Sequence, residues 1–172
     1  MHTVTLHIRE QDRQIAGLTT LAISLHMLEA AFPSPLPGVK PGIANIVVLF
    51  VCARYGFASA ASVSLLRVFA SSLLFGQLLT PGFFLSLAGA ITSLGMLWLT
   101  RWLPSRHFSA VSISILTAMA HVLGQVLLVR LWLIPLPQTF LLLPPLLLAG
   151  IVFGLVNGLI VNHLLQRMPV HH

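Results

Sequence analysis

Apolar residues fill this chain in six blocks, and each block is closed by proline or glycine. The blocks run about Ile15–Phe32, Ile43–Tyr55, Ala58–Leu79, Phe83–Leu103, Phe108–Ile134 and Phe140–Met168. A helix needs about 20 apolar residues to cross a bilayer, and only the second block is clearly short of that. Proline lacks an amide donor and clashes with the preceding helical turn, so the prolines between blocks read as helix ends. Inside the blocks the polar positions recur at helical spacing. Thr19, Ala22, His26 and Glu29 share one face of the first. Ala60, Ser64, Arg67 and Ser71 share one face of the third. Ser86, Gly89, Ser93 and Met96 do so in the fourth, and Ser114, Thr117, His121, Gly124 and Gln125 in the fifth. The pattern predicts an all-α integral membrane protein: a six-transmembrane-helix bundle with a partly polar interior.

Composition agrees with the pattern. Hydrophobic residues make up 57% of the chain and charged residues 7%, with a mean hydropathy of +0.97, which excludes an ordinary water-soluble domain. The expected organisation is a cytoplasmic tail over 1–14, a single membrane domain over 15–168 and a short tail over 169–172. The first block is too long for the apolar region of a cleaved signal peptide and carries His26 and Glu29, so a retained span is expected. Cys52 is the single cysteine, which leaves no internal disulfide and no cysteine metal cluster. The net charge of +6 comes from scattered Lys and Arg, not from the clustered basic face of a nucleic-acid binder. The positive charges act instead as topology signals. With the N-terminus inside, Arg9, Arg13, Arg54, Arg101, Arg106 and Arg167 fall on the inner side and Lys40 and Arg130 on the outer. Both termini are therefore expected in the cytoplasm, with the chain crossing the cell (inner) membrane.

Acidic residues total three, Glu10, Asp12 and Glu29, and none follows Glu29. Charge in the bilayer core is costly and usually has a partner and a task. Arg67 lies mid-span, and Glu29 is the one embedded counter-charge. Two readings stand: a buried Glu29–Arg67 ion pair that locks the bundle, or an Arg67 held ready for an anionic ligand with Glu29 beside it. His121 and Gln125 lie one turn apart on one face and, with Asn45, make a polar pocket as plausible as isolated hydrogen bonding. No second histidine sits four residues from His121, so no metal is expected. The segment Pro37-Gly38-Val39-Lys40-Pro41-Gly42-Ile43-Ala44-Asn45 has two glycines that permit positive φ. It places Lys40 near a helix N-terminus, a plausible anion cap or simply a tight loop with an exposed lysine. Gly150, Gly154 and Gly158 form a small-residue ridge suited to close helix packing.

That glycine-rich loop, followed by Arg67, Ser86-Leu87-Ala88-Gly89, His121-x-x-Gly124-Gln125 and the glycine ridge, resembles the Gx transporter family, also called heptaprenyl diphosphate synthase component I. The resemblance covers about residues 18–165; Pro41 departs from the usual small or apolar residue there. The family in turn is similar to the substrate-binding (S) components of energy-coupling factor transporters. Those are six-helix proteins that bind a vitamin or related molecule and work with a transmembrane coupling subunit and two ATPases. The resemblance implies a site of Glu29, Lys40, Asn45, Arg67, His121 and Gln125 for an anionic or zwitterionic molecule of the vitamin, flavin or phosphorylated isoprenoid class. No cofactor is expected.

The enzymatic name meets a chemical objection. Prenyl elongation uses paired aspartate-rich motifs to hold Mg²⁺ against diphosphates, and this chain has one aspartate, Asp12. No nucleotide-binding glycine-lysine loop is present either. The chain is expected to be no enzyme. The alternative to a transport protein is a non-catalytic membrane subunit or scaffold of a prenyl diphosphate synthase or of a flavin or redox assembly.

Overall fold

The computed structural model describes residues 10–31, 42–102, 109–133, 141 and 143–167. Lys40 and the rest of the 33–41 segment lie outside the described residues, as do Pro104, Pro135 and Pro137. Within the described residues the chain is all-helical. The helices are α1 (Glu10–Ala31), α2 (Ala44–Tyr55), α3 (Phe57–Leu74), α4 (Pro81–Leu99), α5 (Ala110–Leu128) and α6 (Leu143–Arg167). A tight turn of helix, Thr100–Trp102, extends α4, and a widened turn, Val129–Leu133, extends α5.

Local chemistry explains the boundaries. Thr80 caps α4 by accepting from the Phe83 amide, with Pro81 in the first turn. Ser109 caps α5 by accepting from the Ser112 amide, the usual use of a hydroxyl at a helix start. The third block was expected to run to Leu79, but α3 ends at Leu74. Gly76 takes φ +62°, its amide donates to Leu73 O, and the Gln77 amide donates to Ser72 O. This pair of bonds closes a helix on a left-handed glycine, and hydropathy alone does not register it. Gly56, at φ +89°, is the single residue between α2 and α3. Residues 10–14, read as tail, are the first turn of α1; Glu10 and Asp12 sit at its positive end.

Among the described residues four helices are long and apolar enough to cross a membrane: α3, α4 with its extension, α5 with most of its extension, and α6. The chain is a multi-pass membrane protein. The expected count of six spans is met by six helices but by four such spans. The 12 residues of α2 rise roughly 18 Å, short of a bilayer core, and α1 is diluted by its polar first turns.

The principal helix contacts close a ring, α1–α2–α6–α5–α4–α3 and back to α1, with α2 also packed on α3. Val47, Val48, Leu49 and Val51 of α2 make the apolar centre with Ala22, Ala60, Val63, Leu94, Leu97 and Val161. The outer surface is apolar as well: Leu66, Phe69, Ile91, Leu123, Leu127, Leu148, Val152, Leu155 and Leu159 are exposed. Polar side chains turn inward, with Glu29, Ser64, Arg67, Ser71, Ser93, Ser114, Thr117 and Asn157 all buried. This distribution suits lipid as the outer solvent.

Small residues set the helix spacing. A methyl group on Gly154 would lie 2.8 Å from Ile115 Cα, and one on Gly158 2.6 Å from Val111 Cα. The α6 ridge thus touches the α5 backbone itself.

Candidate functional site

The N-terminus of α2 is where the polar side chains meet. A helix start leaves amide donors without partners inside the helix. Here Glu29, near the end of α1, supplies the acceptor: Oε1 takes the amides of Ile43 and, at 3.3 Å, Ala44. Its other oxygen is 3.7 Å from His26 Nδ1, one turn earlier. An acceptor oxygen suits this position because it meets the helix-start amides at the positive end of the α2 dipole.

Two more helices join the same end. Asn45, in the first turn of α2, accepts a 2.6 Å hydrogen bond from Arg67 Nη2 of α3. Asn157 of α6 donates from Nδ2 to the carbonyl of Gly42, 3.0 Å away. Gly42 has φ +68°, a left-handed conformation that glycine takes without penalty. Helices α1, α3 and α6 are thereby each hydrogen-bonded to the start of α2.

Beside this junction lies a cavity of about 60 Å³, room for roughly four or five waters. Its wall draws on all six helices: His26 and Glu29 from α1, Asn45 from α2, Arg67 from α3, Ser86 from α4, His121 and Gln125 from α5, and Gly150, Phe153 and Asn157 from α6. The His121 ring occupies space that a side chain at position 89 would need, since a Cβ on Gly89 would fall 2.5 Å from its Cε1.

Glu29, Asn45, Arg67, His121 and Gln125 thus converge on one cavity. Lys40 lies outside the described residues. The direct Glu29–Arg67 ion pair is not formed: the salt bridges among the described residues are Glu10–Arg13 and His26–Glu29. The carboxylate is spent on α2 amides, and the guanidinium is held by a neutral amide instead. Arg67 is 3% exposed, and its buried Nε makes no hydrogen bond. A guanidinium has five N–H donors, so this one keeps donors that the protein itself does not satisfy. Among the described residues, no group of three or more His, Cys, Asp and Glu side chains is placed to hold a metal ion.

Three polar lining side chains, His26, Ser86 and Asn157, were not among the expected site residues. In the sequence His26 belongs to a polar stripe, and Ser86 to a stripe and to the Ser86-Leu87-Ala88-Gly89 motif. Asn157 was hidden inside the glycine ridge, although it sits three residues from Gly154 on the same face.

The chain matches the family described as heptaprenyl diphosphate synthase component I over residues 18–164. It belongs to that family. The matched region runs from within α1 to near the end of α6 and contains every described residue of the cavity wall. No curated protein and no solved structure matches the chain.

Proposed function

We propose that the chain is a membrane-embedded binding and transport protein for a small anionic or zwitterionic molecule, similar to the S components of energy-coupling factor transporters. One observation carries the reading. Arg67 is buried with spare donors on the wall of a cavity to which all six helices contribute, while the only nearby carboxylate is engaged elsewhere. Glu29 shares the wall, so the formal charges of the site balance, and what it offers an entering anion is the unused donors of Arg67. The planar fork of arginine suits carboxylate and phosphate. Vitamin-sized ligands occupy pockets on the order of 300–1,000 Å³, so a flavin, vitamin or phosphorylated isoprenoid enters only when the helices part. Coupling to a transmembrane partner and ATPases would supply that motion.

The remaining finer points belong to the same reading. All six helices cross or enter the cell (inner) membrane, with both termini cytoplasmic. Arg54 and Arg101 support this orientation, because each stacks on a ring at the junction of α2 and α3, over Tyr55 and Phe57. The Tyr55 hydroxyl also donates to Gln14, beside Arg13 at the start of α1, so the arginines gather at one end. The chain is not itself catalytic.

A second reading is favoured by the family description. A component of a heptaprenyl diphosphate synthase with one aspartate would be a membrane subunit that holds a catalytic partner, and the small cavity suits it. Native mass spectrometry of the detergent-solubilised protein separates the two. The expected outcome is a co-purifying anionic small molecule in the wild type that is lost in Arg67→Ala. A wild type that carries nothing, and whose melting temperature ignores flavins, vitamins and prenyl phosphates, favours the subunit reading.

A further inference from the structure

A second cavity lies at the opposite end of the bundle. It measures about 190 Å³, against about 60 Å³ for the polar one. Its wall is formed by Leu49, Cys52 and Ala53 of α2, Leu97, Thr100 and Arg101 at the end of α4, Ala110 and Ile113 at the start of α5, and Val161 of α6. Among the described residues the lining is apolar apart from Thr100, Arg101 and the Cys52 thiol. The Thr100 hydroxyl is already used, donating to Leu97 O at 2.7 Å. Arg101 is exposed and lies over the Phe57 ring, 5.8 Å from its centroid. Among the described residues no carboxylate pairs with it.

Among the described residues the slot therefore offers hydrocarbon surface inside and one cation without a carboxylate partner, Arg101, at its edge. Trp98 and Trp102 flank Arg101 along the chain and are exposed. Aromatic rings and arginine together mark the level of lipid headgroups. A free phosphate would leave the apolar wall unused, and a neutral hydrocarbon would leave Arg101 unused. We propose that this slot takes one acyl chain of an anionic phospholipid, with the lipid phosphate at Arg101. This site is separate from the Arg67 cavity and does not rest on the ligand proposed there.

The test is native mass spectrometry of the full-length protein extracted from vesicles containing equal parts of phosphatidylglycerol and phosphatidylcholine. An arginine near a lipid surface contributes about 1 kcal/mol toward anionic lipid, or about a fivefold preference. The wild type is expected to retain phosphatidylglycerol over phosphatidylcholine by about that factor. Arg101→Gln is expected to bring the ratio to unity while the melting temperature changes little, because Arg101 is exposed and its contact with the Phe57 ring is a weak surface one. Cys52 is the single cysteine and lines the slot, so alkylation with N-ethylmaleimide is expected to displace the retained lipid from the wild type. Equal retention of the two lipids by the wild type overturns the proposal. So does a phosphatidylglycerol excess that survives both Arg101→Gln and Cys52 alkylation, which would place the lipid elsewhere on the surface.

Discussion

Arg67 is a full positive charge whose hydrogen-bond partner within the bundle is the neutral amide of Asn45. An ion pair would have neutralised it; an amide orients it and leaves its charge in place. This difference is testable at Asn45. Asn45→Asp puts a carboxylate where Oδ1 now accepts, so the variant is expected to fold with an unchanged or higher melting temperature and to lose the anionic ligand. Loss of the fold together with the ligand would show that the amide is needed for packing. The neighbouring position 89 makes a complementary point. A methyl group there meets the His121 ring first, and a ring turns aside more easily than backbone. Gly89→Ala is expected to reduce ligand retention severalfold with little loss of thermal stability, and equal retention by the two proteins would remove His121 from the site.

At the scale of elements, glycines decide how close the helices come, and not all glycines are alike. Gly154 and Gly158 face α5 backbone, whereas Gly95 faces open space. Overpacking against a backbone that cannot yield costs about 1–3 kcal/mol. Removing a glycine from an unobstructed helix gains up to about 1 kcal/mol. Gly154→Ala and Gly158→Ala are thus expected to lower the melting temperature in detergent, and Gly95→Ala to leave it level or raise it. A common response from all three would show that the ridge is not a packing surface. The glycine spacing predicted this ridge directly; its partner, α5, was not legible, because spacing on one helix does not say which neighbour fills it. The same limit hid Asn157, whose acceptor, Gly42 O, lies 115 positions away in the chain.

At the scale of the whole molecule, the charges divide by end. Arg101 lies at the α2–α3 junction near Phe57, where Tyr55 also reaches Gln14 of α1, while Glu29, Asn45 and Arg67 meet at the other end of α2. Positive residues are retained on the cytoplasmic side. Fluorescent-protein fusions at either terminus are therefore expected to fluoresce in intact cells, and periplasmic phosphatase fusions at the same points to be inactive. The opposite pattern would invert the bundle and place the Arg67 cavity on the cytoplasmic side.

Hydropathy and period by themselves determined the membrane class, the all-helical fold, the approximate helix positions and the inward polar faces, because each depends on residues near one another in the chain. They also brought forward Glu29, Asn45, Arg67, His121 and Gln125, because polar side chains in apolar helices are few. The tertiary structure alone decided how those residues pair. Glu29 caps α2 instead of meeting Arg67, because the α2 amides lie at the level of the carboxylate and bind it directly. Arg67, coming from α3, meets the Asn45 amide in the first turn of α2 instead. Depth and rotation of helices are set by packing among distant segments, and no local pattern encodes them.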